Sequence, residues 1–134
     1  MNLLTVRNYL EPLLPVKADW FGVAHMDTRR ARAMCLYGLP IRTENGVRIG
    51  GLDCTGYKQK RMTLVMRLGT DASAAEDAAL AVHAALDMPQ VALSGTTGFM
   101  RVLDAEPYQL GADAHGVFEF RVDFELFYEW DNVN

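Results

Sequence analysis

The sequence lacks several features that identify metal-binding, redox and membrane proteins. Its two cysteines, Cys35 and Cys54, stand 19 residues apart without a CxxC pair, and its three histidines are widely separated. These spacings are not those of a zinc site or a disulfide framework. No apolar run approaches the roughly 18 residues of a membrane span, and the N-terminus lacks the pattern of a secretory signal. We therefore expect no metal and no membrane span, and a protein made in the cytoplasm.

The overall composition is that of an ordinary globular protein. Half of the 134 residues are hydrophobic, 22% are charged, and the formal net charge is −4. These values are not typical of disordered or fibrous chains. The length predicts a single domain, 1–134, that is long enough to bury a substantial core.

The charges are nevertheless segregated along the chain. Residues 28–70 carry nine basic and two acidic side chains, whereas residues 71–134 carry twelve acidic and two basic ones. The basic cluster Arg29–Arg32 gives little support for nucleic-acid binding, because no aromatic residues are interleaved with it. The segregation favours head-to-tail contacts between identical subunits, in which a positive surface meets a negative one. Cancellation of the charges within the fold explains the pattern equally well.

The strongest structural signal is a long alternation from Gly116 to Trp130. Even-numbered positions from Phe118 onward are apolar, and most odd-numbered positions are charged. A period of two predicts a β-strand with one buried and one solvated face. Because this strand is longer than usual, we expect it to bend, carry a bulge or extend past its sheet.

A second alternating run, Lys60–Gly69, has a basic outer face, whereas the outer face of the last strand is mostly acidic. Opposite charges on neighbouring strands help to select their pairing. We therefore expect these two strands to lie side by side.

Helices are predicted at two places. Residues 2–11 have apolar residues at helical spacing and end before a proline. A longer helix is predicted to begin with a capping box formed by Ser73 and Glu76. It should end near Asp87, because Pro89 cannot continue it.

The remaining segments complete the predicted order of elements. The alternation in residues 29–37 and 99–105 predicts strands, residues 19–22 a corner, residues 91–98 a turn-rich link and residues 106–116 a loop. Residues 38–57, with five glycines and an Asn45-Gly46 hairpin signal, predict a projecting arm. The order as a whole predicts an α+β fold, in which a small, mainly antiparallel sheet packs against two or three helices.

Two groups of residues are candidates for a small-molecule site. Asp113 and His115 share the loop before the last strand, but no serine or cysteine stands near them to complete a nucleophilic set. The turn Ser94–Gly98 resembles a phosphate nest but lacks the lysine and the following helix of a P-loop. A structural role explains each group better than a catalytic or binding role does. We therefore predict no enzyme, no catalytic residue and no cofactor. The alternative is a small dimeric α+β ligand-binding or enzymatic domain with its site near Asp113 and His115.

Several segments taken together resemble a known family. They are Y-L-E-P-L-L-P at 9–15, G-L-P at 38–40, G-Y-K-Q-K-R-M-T-L-V-M-R at 56–67, A-x-x-A-E-D-A at 72–78 and G-A-D-A-H-G-V-F-E-F-R-V-D-F-E-L-F-Y at 111–128. In order and character, these segments resemble the minor capsid and tail-completion proteins of tailed bacteriophages, which are similar to tail-terminator proteins.

The resemblance implies a structural protein of the virion, located at the head–tail junction. Such a protein assembles as a ring, often a hexamer, that caps the tail tube and needs no cofactor. The implied partners are further copies of the chain, the tail tube protein and a head-completion or connector protein. Neither a membrane nor specific nucleic-acid binding is expected.

Two segments are candidates for the contacts of such a ring. By the resemblance, the arm at 38–57 corresponds to a loop that contacts neighbours or the tube, through Arg42, Asn45, Arg48 and Asp53. We also expect the end of the last strand, from Phe127 to Trp130, to reach a neighbouring subunit, because an apolar residue there interrupts the charged face.

Overall fold

The computed structural model describes residues 1–40 and 57–129, and contains nine helices and strands within them. The sheet they form is mainly antiparallel, and both helices of these residues pack against it. The elements are α1 (Leu3–Leu10), β1 (Trp20–Val23), β2 (Arg32–Leu39), β3 (Tyr57–Leu68), α2 (Ala72–Ala85), β4 (Met88–Leu93), β5 (Thr96–Val102), β6 (Tyr108–Ala112) and β7 (Phe118–Glu129).

The seven strands have the order β1-β2-β3-β7-β5-β4, and β6 pairs with β7 in addition. The pair β1–β2 is parallel, and the other pairs of the described residues are antiparallel. This architecture agrees with the α+β prediction. Residues 41–56, which make up most of the predicted arm, lie outside the described residues.

The centre of the sheet is the pair β3–β7, which confirms that the two alternating runs lie side by side. Their antiparallel register runs without a shift from Tyr57 opposite Glu129 to Arg67 opposite Glu119. The even-numbered residues from Met62 onward in β3 and throughout β7 lie in or against one apolar core. Met62 and Phe124 are partners across the strands, and both are fully buried.

The great length of β7 is accommodated by two shorter strands along its other edge. The C-terminal half of β7 pairs with β5, and its N-terminal half pairs with β6. The expected bulge lies in β6, between Gln109 and Gly111, instead of in β7. The described part of β7 does not overhang, because it remains paired with β3 through Glu129 and with β5 through Tyr128.

Both helices contribute apolar residues to the same core. Asn2 caps α1 by accepting a hydrogen bond from the main-chain N–H of Thr5 at 2.9 Å, and the helix buries Val6 and Leu10. Helix α2 contacts β3 and β7, whereas α1 contacts β1, β2 and β4. The buried residues of α2 are Ala75, Ala79 and Val82. These small side chains allow the helix to lie close to the sheet.

The predicted capping box at the start of α2 is wrong. Asp71 is the N-cap, and its carboxylate accepts a hydrogen bond from the main-chain N–H of Ala74 at 3.1 Å. Ser73 therefore lies within the first turn of the helix. Asp and Ser are comparable N-cap residues, so local preference alone did not separate the two positions.

Five strands differ from the sequence-based prediction, namely β1, β2, β4, β5 and β6. The predicted corner contains β1, the predicted link 91–98 contains the end of β4 and the start of β5, and the predicted loop 106–116 contains β6. Strand β5 therefore begins at Thr96 and includes Gly98, where a Cβ would overlap the main-chain carbonyl of Phe127. Strand β2 begins at Arg32, three residues later than predicted, because Asp27–Arg30 forms a turn before it.

Candidate functional site

The odd-numbered residues of β3 and β7 form a face that no described helix covers, here called the charged face. Its two strands bring opposite charges into register, because Arg61 lies opposite Glu125 and Arg67 lies opposite Glu119. This arrangement agrees with the charge pairing predicted for the two strands. Several ion pairs lie on the charged face, among them Arg67–Glu119 and Arg101–Glu125.

Glu125 lies at the centre of the charged face and is 1% exposed. Its carboxylate accepts hydrogen bonds from Gln59 Nε2 at 2.6 Å and from Arg101 Nε at 2.7 Å, and a longer one from Arg61 at 3.5 Å. A buried carboxylate requires such donors to offset the loss of its hydration. The expectation that this position is solvated is therefore wrong.

Phe127 lies on the charged face next to Glu125 and its hydrogen-bond donors, and it is also covered within the subunit. Its ring stacks on that of Phe99 with a centroid separation of 5.0 Å, and the Arg101 guanidinium lies 5.2 Å from its centroid. Phe127 is 3% exposed, whereas the Arg101 side chain is 59% exposed. Arg101 therefore covers both the aromatic ring and the buried carboxylate.

Arg67 organises a second cluster at the other end of the charged face. Its side chain is 3% exposed and pairs with Asp113 at 2.8 Å and with Glu119 at 3.0 Å. Its Nε donates to the main-chain carbonyl of Arg30 at 2.7 Å. This one guanidinium therefore ties β3 to β7, to the loop before β7 and to the turn before β2.

Asp113 has a structural role in this cluster. Besides Arg67, its carboxylate accepts hydrogen bonds from the main-chain N–H groups of His115 and Val117, at 2.8 and 3.0 Å. The Arg67 side chain, followed by the N–H of Val117, lowers the pKa of Asp113 from 3.8 to about 2. His115 joins Asp113 through its main chain and is exposed. The geometry thus uses Asp113 to hold a loop.

The segment Ser94–Gly98 contains the two-residue connection of the β4–β5 hairpin, Ser94–Gly95, and the first three residues of β5. Ser94 and Gly95 have φ values of 51° and 78°, as a tight hairpin turn with two left-handed central residues requires. The Thr96 hydroxyl donates to the main-chain carbonyl of Leu93 at 2.8 Å and so braces the turn.

Four buried polar atoms of the charged face have no hydrogen-bond partner among the described residues. They are Gln59 Oε1, Arg61 Nε, Arg121 Nε and Asp123 Oδ1. The last two form an ion pair at 3.7 Å, which is longer than a hydrogen bond. Buried polar atoms are usually paired with protein or with ordered water. A cleft of about 360 Å³ lies next to two of these residues, Arg61 and Asp123.

The basic cluster before β2 is partly neutralised by Asp27. This carboxylate pairs with Arg29 at 3.0 Å and with Arg30 at 3.1 Å, and hydrogen bonds from Arg29 hold its pKa well below the ordinary value. The Arg29 side chain nevertheless remains 88% exposed.

Cys35 is buried, and burial raises the pKa of its thiol, so it is not a reactive cysteine. No group of three or more potential metal ligands occurs in residues 1–40 and 57–129. Within the same ranges, no helix combines the length and apolar character needed to cross a membrane.

Five of the six predicted assembly residues lie outside the described residues: Arg42, Asn45, Arg48, Asp53 and Trp130. The sequence did not identify the buried role of Glu125 or Arg67. The sequence does place Glu125 and Arg67 opposite residues of the other charge on a neighbouring strand. That pattern indicates that the charges pair, but it does not indicate that they are buried.

The family of this chain follows from its similarity to known proteins. No curated protein matches the chain. Among solved structures, one protein of unstated function aligns over 100% of this chain and 99% of its own, at 17% sequence identity and a TM-score of 0.45, a similarity too low to support an argument. The family model described as bacteriophage tail terminator protein matches residues 23–130, from the end of β1 through the whole of β7. The chain therefore belongs to the bacteriophage tail terminator family and is a structural protein of the phage tail.

Proposed function

We propose that this protein completes the tail at the head–tail junction by forming a ring of identical subunits that caps the tail tube. Six is the number of subunits expected from the resemblance. The observation that carries the proposal is the match of the tail terminator family over residues 23–130. The role is structural and involves neither catalysis nor a cofactor.

The buried ionised side chains of the sheet bind one another, which supports a structural role. Glu125 is held by donors from β3 and β5, and Arg67 by acceptors from β7 and its preceding loop. These ionised groups bond to one another across strands, so their charge stabilises the sheet. A subunit that transmits contacts between a head and a tail needs such a rigid body.

The proposed partners are further copies of the chain, the tail tube protein and a head-completion or connector protein. Arg42, Asn45, Arg48 and Asp53 remain the proposed contact residues of the arm. At the end of β7, the proposed contact involves Phe127 and Trp130. Because Arg101 covers Phe127 in the subunit, a neighbour that approaches there meets Arg101 first.

Particle assembly tests this function. We expect phage that lack the protein to yield separate heads and tails, and the wild-type chain supplied from a plasmid to restore joined particles. Normal numbers of infectious particles without the protein would contradict the proposal.

The variant His115→Ala is a control that separates the alternative function. His115 is exposed and its main chain makes the contact to Asp113, so the variant should fold and restore joined particles as the wild type does. If His115→Ala folds normally but fails to restore them, a site near Asp113 and His115 would be favoured instead.

A further inference from the structure

Strand β6 is an unusually open edge of the sheet. It pairs with β7 on one side, its other side pairs with no described strand, and all five of its residues are exposed. Charged residues, prolines and bulges are features that commonly prevent an edge strand from pairing with another chain. Of these three features, β6 has only a bulge. Two large apolar side chains, Tyr108 and Leu110, are 42% and 49% exposed.

On the side of β6 that faces α2, the surroundings are acidic and apolar, whereas on the other side the ring of Tyr108 lies against the Arg121 guanidinium, 4.5 Å from the ring centroid. A cleft of about 300 Å³ between α2 and β6 is lined by Glu76, Leu80 and Glu106, among others. Leu80 is itself 42% exposed. We call these residues together with the two apolar side chains of the strand the β6 surface: Glu76, Leu80, Glu106, Tyr108 and Leu110.

A surface of the opposite charge lies at β1. A cleft of about 320 Å³ is lined there by the half-buried Trp20 together with Met26 and Arg29. Asp27 balances one of the two arginines that it binds. Arg32, at the start of β2, adds a further exposed positive charge beside this cleft; its guanidinium lies next to Gly69 and is not in an ion pair with any described residue. The β1 surface, defined as Trp20, Met26, Arg29 and Arg32, is therefore basic and apolar.

The register of the sheet places these two surfaces at opposite edges. One row of paired residues runs from Gly22 through Cys35, Val65 and Arg121 to Tyr108. Strands β1 and β6 are the two ends of this row, and four strand spacings of about 4.8 Å separate them by about 19 Å. A chain with two complementary surfaces at opposite edges can bind copies of itself head to tail.

We propose that the β1 surface of one copy binds the β6 surface of the next. This inference rests on the proposed ring and names the contact that closes it. The carboxylates of Glu76 and Glu106 face the guanidinium groups of Arg29 and Arg32 of the neighbour, and the exposed apolar side chains of both surfaces are buried between them. The charge segregation along the sequence then serves the contact between subunits.

Charge reversal tests this interface. The acid-reversed variant carries Glu76→Lys and Glu106→Lys, and the base-reversed variant carries Arg29→Glu and Arg32→Glu. All four side chains are exposed, so the variants should fold, which circular dichroism and thermal unfolding verify. Each variant alone should need at least about tenfold more protein to form rings, measured by native mass spectrometry and by electron microscopy with and without tail tubes.

Mixing the two variants gives the decisive result. In an alternating ring, every reversed surface meets a reversed partner and every natural surface meets a natural one. The mixture should therefore form rings with an even number of subunits at concentrations where neither variant does. The control Asp87→Lys reverses an exposed charge beyond the C-terminus of α2 and should assemble as the wild type does.

The possible failures are distinguishable. If the wild type and both reversed variants form rings equally well, or if the mixture does not recover, the interface is wrong while the ring stands. If the wild type forms no ring either alone or on tail tubes, the proposed function is overturned and the interface with it.

Discussion

The two faces of the β3–β7 pair differ in chemistry, but both contain side chains that are almost completely buried. Met62 and Phe124 are partners on one face, and Arg61 and Glu125 are partners one residue away on the other. Phe124 is fully buried beneath the helices, and Glu125 is 1% exposed beneath Gln59 and the two arginines that bind it. Alternation along a strand thus identifies which residues share a face. It does not determine which faces are covered.

The largest effect should come from the apolar face. Phe124→Ala removes a fully buried ring and should lower the free energy of unfolding by about 3–5 kcal/mol, because the cavity cannot refill completely. Chemical denaturation measures the loss. The control Leu4→Ala removes a side chain that is 52% exposed and should change the stability by no more than about 0.5 kcal/mol. Similar losses in the two variants would contradict the assigned core.

A smaller but clear effect should come from the charged face. Glu125→Ala leaves donors of Gln59 and Arg61 without their acceptor and should cost about 1–3 kcal/mol in the same measurement. The loss stays below that of Phe124→Ala because the side chain of Arg101 can turn to solvent.

Glu129→Ala is the matched control, because Glu129 is an exposed acid on the same strand and the same face. We expect it to change the stability by no more than about 0.5 kcal/mol. Equal and small effects of the two substitutions would mean that the charged face is solvated throughout, as the alternation alone suggests.

The smallest effect should come from the edge of the charged face and should depend on pH. The pKa of Asp113 is lowered from 3.8 to about 2 in the folded protein, so its carboxylate stabilises the fold above about pH 4. That contribution is lost as the pH falls towards 2, when the folded protein also takes up the proton. Thermal unfolding of wild type and Asp113→Asn should therefore differ at pH 6 and converge near pH 2. A difference that is independent of pH would show that Asp113 does not act through its charge.

The centre of the sheet could be predicted from the sequence because its residues carry a strong local pattern. The alternation in Lys60–Gly69 and in Gly116–Trp130 identified β3 and β7, and their opposite charges identified the pairing. Helices α1 and α2 followed from apolar spacing and from prolines near their ends. In each case, the residues that define the element lie within the element.

The edges of the sheet could not be predicted because their strands depend on distant partners. Strand β1 has four residues including Gly22, β4 contains Pro89, and β6 is bulged at Leu110 and lacks a period of two. Each becomes a strand because a long neighbour offers an unpaired edge, which local preference does not encode. Burial of Glu125 and Arg67 is likewise decided by side chains from other strands and loops.

The proposed role of this chain, to join the head to the tail as a ring, is tested most directly by imaging of the particles in the complementation experiment. Electron microscopy of particles restored by the wild-type chain, carrying an antibody-detectable tag on this protein, should show a closed ring of tagged subunits where the tube meets the head. Particles made without the protein should be separate heads and tails. Joined particles without the protein, or a tag located anywhere other than the junction, would contradict the claim.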